Sequence, residues 1–173
     1  MTTSESGASF TAEVLSSDGR FVPVGFSSHQ LSAGKVMELS LAPKIAASVF
    51  ALRITSDQPI VASVSSTVNT KTHKDFVWST PVQALGPMKI AITGLTPVIV
   101  FAGDAIAVKI EVTLINGKTV RSTIRGSDIA IWRAPQLARS LTIMQASKDS
   151  FASALVASDN GYGYFPITPG STL

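Results

Sequence analysis

The sequence predicts an all-β protein made of two tandem, related antiparallel β-sandwich units, immunoglobulin-like or jelly-roll-like. Three observations lead there: apolar residues recur at every second position, tight-turn dipeptides separate the apolar runs, and three stretches repeat in the same order along the chain. A period of two sends successive side chains to opposite faces of a strand, so it marks a half-buried sheet rather than a helix.

The alternation begins with Phe10, Ala12 and Val14, spaced by Thr11 and Glu13. Val22, Val24 and Phe26 predict a second strand, Met37, Leu39 and Leu41 a third, and Phe50, Leu52 and Ile54 a fourth. The longest case is Ile106, Val108, Ile110, Val112 and Leu114, spaced by Ala107, Lys109, Glu111 and Thr113. That pattern predicts a long strand with one wet face. Asp18-Gly19 and Asn116-Gly117 each follow an apolar run, and both dipeptides favour the positive φ angles of hairpin turns. Ser32-Ala33-Gly34, Asp57-Gln58-Pro59 and Lys148-Asp149-Ser150 are further breaks. Helical signals are confined to single turns at 42–48 and 135–140, the latter with Pro135 suited to a first helical position.

The repeat organises these strands. Asp18-Gly19-Arg20-Phe21-Val22 resembles Asn116-Gly117-Lys118-Thr119-Val120, and the ten residues from Ile54 to Ser63 resemble those from Met144 to Ser153. Phe76-Val77-Trp78-Ser79-Thr80-Pro81 resembles Tyr164-Phe165-Pro166-Ile167-Thr168-Pro169. The matched positions lie 98, 90 and 88 residues apart (18 and 116, 54 and 144, 80 and 168), so the order is kept while loops differ by a few residues. The expected organisation is a disordered polar tail at 1–8, a first sandwich unit at 9–86 and a related second unit at 87–173. Residues 88–103 would supply extra strands or the connection, and contact between the units is expected, because one copy of short strands is at the lower edge of independent stability.

Of the 173 residues, 45% are hydrophobic and 14% are charged, enough apolar material for a core and too little charge for a disordered chain. The net charge of +3 reflects few acids; the bases are scattered, with small groups at Lys71, His73, Lys74 and at Lys118, Arg121, Arg125. No basic stripe of the nucleic-acid-binding kind is present, so no nucleic-acid partner is expected. With no cysteine, disulfides and thiolate metal sites are excluded. No apolar run reaches the ~18 residues of a membrane-spanning helix, and 90–100 is broken by Thr93, Gly94, Thr96 and Pro97. Residues 1–9 have neither a basic nor an apolar segment of a secretory signal.

Leu31-Ser32-Ala33-Gly34-Lys35-Val36, then 51–62 with its Ser56-Asp57-Gln58-Pro59-Ile60-Val61-Ala62, and then Asp75-Phe76-Val77-Trp78 resemble an actinobacterial family of unknown function. The resemblance covers roughly residues 10–82 well and the second copy more loosely. Its members look like exported or membrane-attached proteins. The resemblance implies a β-rich fold, an extracellular or cell-envelope location, and a piece of a longer exported protein. It implies no activity. In the second copy Ser150 stands in the place of Pro59 and Pro166 in the place of Trp78, so a site built on Trp78 would exist once.

Residues for chemistry are sparse. The histidines are His29 and His73, both expected in exposed loops, and no Gly-x-Ser-x-Gly elbow accompanies them. The eleven acids are spread singly, mostly at turns, where Asp18, Asp57, Asp149 and Asp159 suit local backbone bonding. No catalytic residue, metal site or cofactor is therefore assigned. Aromatic residues are the remaining lead. Trp78, Tyr162 and Tyr164 form a candidate glycan-binding patch, since aromatic faces can stack on sugar rings. Trp78 and Trp132 also suit a sandwich core, whereas Tyr162-Gly163-Tyr164 suits a surface whose glycines admit a ligand to the backbone. The expected function is a non-catalytic structural or interaction domain with a cell-envelope protein or glycan as partner. The alternative is a carbohydrate-binding module that recognises an envelope glycan through surface aromatics.

Overall fold

A computed structural model describes residues 5–41, 49–69, 74–93, 96–158 and 161–169. Its elements, in chain order, are β1 (Ala8–Ser16), β2 (Gly19–Phe21), β3 (His29–Leu31), β4 (Phe50–Ser56), β5 (Val64–Asn69), β6 (Lys74–Ser79) and β7 (Met88–Ala91). They continue with β8 (Val98–Ala102), β9 (Ile106–Leu114), β10 (Thr119–Gly126), β11 (Ile129–Arg133), β12 (Ala138–Ala146), β13 (Phe151–Ser158) and β14 (Gly161–Pro166). The protein is all-β, and every ladder is antiparallel. Two compact units divide the chain, Met1–Ala62 and Ser63–Leu173. This is a boundary of packing, whereas the 86/87 boundary read from the sequence is one of similarity between repeats.

The second unit is a sandwich. One sheet runs β10-β9-β12-β7 and the other β11-β8-β13-β14. Ile106, Val108, Ile110 and Val112 turn their alternate face inward from β9, joined by Ile90, Ile124, Leu141 and Ile143 from the same sheet. Ile99, Phe101, Ala152 and Ala154 meet them from the other sheet, and Ile167 closes the end. The strand read most clearly from the sequence is thus the one that carries the core. Its hairpin to β10 closes through Gly117 at φ 81°, a conformation that glycine adopts without a Cβ clash. The β7 and β8 strands fall within 88–103, where the sequence placed extra strands.

In the first unit β1 is the centre. β4 pairs with it from Phe10 to Ser16, while β2 and β3 pair with Val14–Ser16 and Ala8–Phe10 on the opposite edge. Together, β2 and β3 occupy the place that the unbroken β10 has beside β9. The predicted strand through Val22, Val24 and Phe26 therefore stops at Phe21. Pro23 has no N–H to give a ladder, and the chain leaves the sheet there. It returns as a loop in which Phe26 donates its N–H to the Pro23 carbonyl (2.9 Å) and accepts from Ala12 N–H (3.1 Å). Phe26 is buried, whereas Val24 is exposed. The predicted strand through Met37, Leu39 and Leu41 is also absent: residues 35–41 are irregular, and Val36 and Met37 are exposed. After the tight turn closed by Lys35 N–H to Ser32 O (3.1 Å), no neighbouring strand pairs with them among the described residues. The expected helical turn at 42–48 lies outside the described residues. The one at 135–140 is instead a β-turn, with Ala138 N–H bonded to Pro135 O at 2.9 Å, that leads directly into β12.

The three matched stretches occupy corresponding places in the ladders. Val14 faces Leu52 as Val112 faces Leu141, and Ala12 faces Ile54 as Ile110 faces Ile143. The pairing makes Ile54 equivalent to Ile143, one residue from the sequence match at Met144; a register shift in β12 between Ile143 and Gln145 absorbs the difference. At the start of the central strands, Ser9 N–H donates to Asp57 Oδ1 (2.7 Å) while Asp57 N–H donates to Ser9 O (3.1 Å). Likewise Ala107 N–H donates to Ser147 Oγ (3.0 Å), and Ser147 N–H to Ala107 O (3.0 Å). The hairpins that follow share one register: Ser65 faces Trp78 as Ser153 faces Pro166, and Thr67 faces Phe76 as Leu155 faces Tyr164.

Stability should follow this burial. Leu141→Ala, at a position with no exposure, should lower the unfolding free energy by about 2–5 kcal/mol. Ile54→Ala, at 37% exposure, should cost less than about 1 kcal/mol. Urea unfolding of the two variants beside the parent chain measures both; equal losses would contradict the burial pattern.

Candidate aromatic binding face

The aromatic lead resolves onto the hairpin β5–β6. Within β6, Phe76 and Trp78 are two residues apart, so the period of the strand puts them on one face. They are 65% and 58% exposed. Directly opposite on β5 stand Thr67 and Ser65, also exposed, so two hydroxyls flank the two rings on the same face. The hairpin forms a two-stranded sheet of its own, and β6 lies beside β14 of the same unit without sharing a ladder with it. Trp78 is thus a surface residue and not a core residue. Trp132 takes the other role: opposite Ile99 in the β8–β11 ladder, it is half-buried and packs against the core.

Tyr164 lies on β14 opposite Leu155 and is half-buried. The structure therefore brings the strands of Trp78 and Tyr164 next to each other, while the Tyr162 side chain lies outside the described residues. The expectation that Gly163 opens the backbone to a ligand is not met. A Cβ at Gly163 would meet Cε2 of Phe165 at 2.6 Å, so the space is taken by a neighbouring ring. Phe165 itself is exposed and faces Ala154 across the hairpin. Phe76 and Phe165 are the aromatic members that the choice of Trp78, Tyr162 and Tyr164 left out. The signal for Phe76 was its two-residue spacing from Trp78 within an alternating run.

His29 belongs to β3 and not to an exposed loop. Its ring stacks on Phe10 at 5.2 Å between centroids and meets Phe26 edge-on at 5.9 Å. Nε2 is buried and has no hydrogen-bond partner among the described residues. The imidazole serves there as an aromatic plate. His73 lies outside the described residues. Among those described, no group of three or more His, Asp or Glu is placed to hold a metal ion, and no helix is long and apolar enough to cross a membrane. Of the basic group Lys118, Arg121 and Arg125, Arg121 is paired with Glu111 across the β9–β10 ladder at 2.8 Å, an exposed surface pair of small energetic weight.

The chain belongs to a family of unknown function (DUF5719), whose model matches residues 1–127. The match spans all of the first repeat and runs into the second through β10. None of the curated proteins and none of the solved structures matches the chain.

The two tryptophans should separate by fluorescence. Trp78 should emit at long wavelength and be readily quenched by acrylamide, while Trp132 should be shifted to the blue and partly protected. Trp78→Phe should remove most of the quenchable emission. If the Trp78→Phe protein were as quenchable as the parent, the exposed ribbon would be refuted.

Proposed function

We propose that this member of the family of unknown function is a non-catalytic interaction module of a bacterial cell-envelope or extracellular protein, and that the β5–β6 ribbon is its contact face. The observation that carries the reading is the joint exposure of Phe76 and Trp78 on one side of a two-stranded hairpin. A two-stranded hairpin is marginal in water on its own, and large rings left in solvent favour association. A buried aromatic anchor with a polar surround is the usual energetic centre of a protein contact. Composition supports the reading: the chain is low in charge, and among the described residues no group of His, Asp or Glu is placed to hold a metal ion. The envelope location rests on the resemblance of 10–82 to a family of unknown function whose members look like exported or membrane-attached proteins.

One observation favours a second reading, a carbohydrate-binding module. Ser65 and Thr67 place hydroxyls beside Trp78 and Phe76, so ring faces for stacking lie next to groups that can hydrogen-bond sugar hydroxyls. The residues for that role are Trp78, Phe76 and Tyr164, with Tyr162 on the same strand as Tyr164.

A binding screen against peptidoglycan, envelope polysaccharides and envelope protein extracts distinguishes the readings. Trp78→Ala and Phe76→Ala should each weaken capture of the partner by about tenfold or more. Tyr164→Ala should weaken it only if the partner is a glycan that spans from β6 to β14. Capture that is indifferent to both β6 substitutions would sink the assignment of this face.

A further inference from the structure

The sheet β10-β9-β12-β7 turns one face to the core and the other outward. Alternation decides what the outer face carries. Ile106, Val108, Ile110 and Val112 point inward from β9, so Ala107, Lys109, Glu111 and Thr113 point outward. The registers extend that face to the neighbouring strands. On β10, Arg121, Thr123 and Arg125 stand opposite Glu111, Lys109 and Ala107. On the other side Thr142 stands opposite Glu111, and Lys89 opposite Thr142. The four strands together hold five bases and one acid, and four of the bases, Lys89, Lys109, Arg121 and Arg125, lie on this face. Scattered along the chain, they are gathered by the sheet. Arg121 and Glu111 offset each other at 2.8 Å. Lys89, Lys109 and Arg125 are exposed, and no acid among the described residues pairs with them.

We infer that this outer face binds an extended anionic polysaccharide, one whose sugar units carry carboxylate or phosphate groups. With strands about 4.8 Å apart and a rise of about 3.3 Å per residue, Lys109 lies about 8 Å from Arg125 and about 12 Å from Lys89. Three positive charges thus cross the sheet on one diagonal of about 20 Å, a track that suits anionic groups repeated along a chain. Thr123 and Gln145 stand opposite Lys109, and Thr142 stands opposite Lys89, so hydroxyls and an amide lie beside the charges to bond sugar hydroxyls. The outer positions of β7, β9 and β10 carry no aromatic ring and no apolar side chain larger than alanine. Nucleobases would find no ring to stack on there. A protein partner would find no large anchor, and a lipid surface no apolar face to enter. The face is separate from the aromatic ribbon, and the inference stands independently of the role proposed for Trp78.

The test uses the full chain and sensors coated with polygalacturonate, phosphomannan or neutral dextran, with binding read by biolayer interferometry. At least one of the two charged polymers should bind saturably and about tenfold or more tightly than dextran, and the better of the two identifies the anion. Added salt should weaken that binding several-fold, because exposed charges are screened. The combination Lys89→Gln, Lys109→Gln and Arg125→Gln should lose about tenfold or more, whereas Lys89→Arg, Lys109→Arg and Arg125→Lys together, which keep the charges, should bind as the parent does. Arg20→Gln, Lys35→Gln and Arg133→Gln together remove the same charge from exposed bases elsewhere and should cost less than about twofold. No binding to either charged polymer, equal losses in the two glutamine combinations, or dextran binding as tight as that of the charged polymers overturns the inference. Tighter binding to single-stranded DNA or to phosphatidylglycerol vesicles than to either charged polymer would assign the face to a nucleic acid or a membrane and overturn it as well. The Trp78→Ala chain should bind the charged polymer unchanged; a loss there would place the polymer on the ribbon and overturn the assignment of this face.

Discussion

Each unit depends on a central strand that is paired along both edges. A buried backbone leaves an N–H and a C=O at every residue that must be bonded, and a strand inside a sheet meets that demand only if neighbours flank it on both sides. In the second unit β9 has β10 and β12 as flanks, and its alternate residues Ile106, Val108, Ile110 and Val112 are dry. A slip of one residue in either ladder would turn that whole set to the wet face, so the core and the register enforce each other. The first unit repeats the device with β1 between β4 and the pair β2, β3. The reciprocal bonds of Ser9 with Asp57 and of Ala107 with Ser147 hold the same end of each central strand.

The same framework explains where large side chains are left exposed. Strands inside the sandwich spend their apolar faces on the core. The β5–β6 hairpin repeats the register of β13–β14, yet β13 is buried between two neighbours while β5 is polar and open. In its sequence, Ser66 and Thr67 place hydroxyls where β13 has Ala154 and Leu155. The aromatic pair on β6 therefore has no core to enter from this hairpin. Surface exposure of Trp78 and Phe76 follows from the polarity of the partner strand as much as from the rings themselves.

Much of the fold was legible because period-two alternation and turn dipeptides act over a few residues. β1, β4, β9 and the Asn116-Gly117 hairpin carry that signal directly. Alternation misled where the backbone could not pair: Val22, Val24 and Phe26 have the right spacing, but Pro23 removes a donor and the chain loops away, burying Phe26 and leaving Val24 in water. Met37 and Leu39 alternate as well, yet no described strand lies alongside them. At the candidate site, Trp78 is legible as an aromatic lead in the sequence, whereas the exposure of Phe76 beside it and the filled space over Gly163 depend on the fold. A ring two residues away fills the space over that glycine, and a side-chain position of this kind is invisible in a string of letters.

By itself the sequence determined that this protein is antiparallel β-structure with a repeated order of strands and turns, because alternation, proline and turn glycines are local causes with local effects. Tertiary structure alone decided which alternating runs became strands, since a strand exists only where a second one bonds to it. It decided that Trp132 packs on the core while Trp78 faces solvent, since burial depends on which sheet lies opposite. It also decided that His29 is a packed ring between Phe10 and Phe26, two residues that the chain brings to it from different distances along its length.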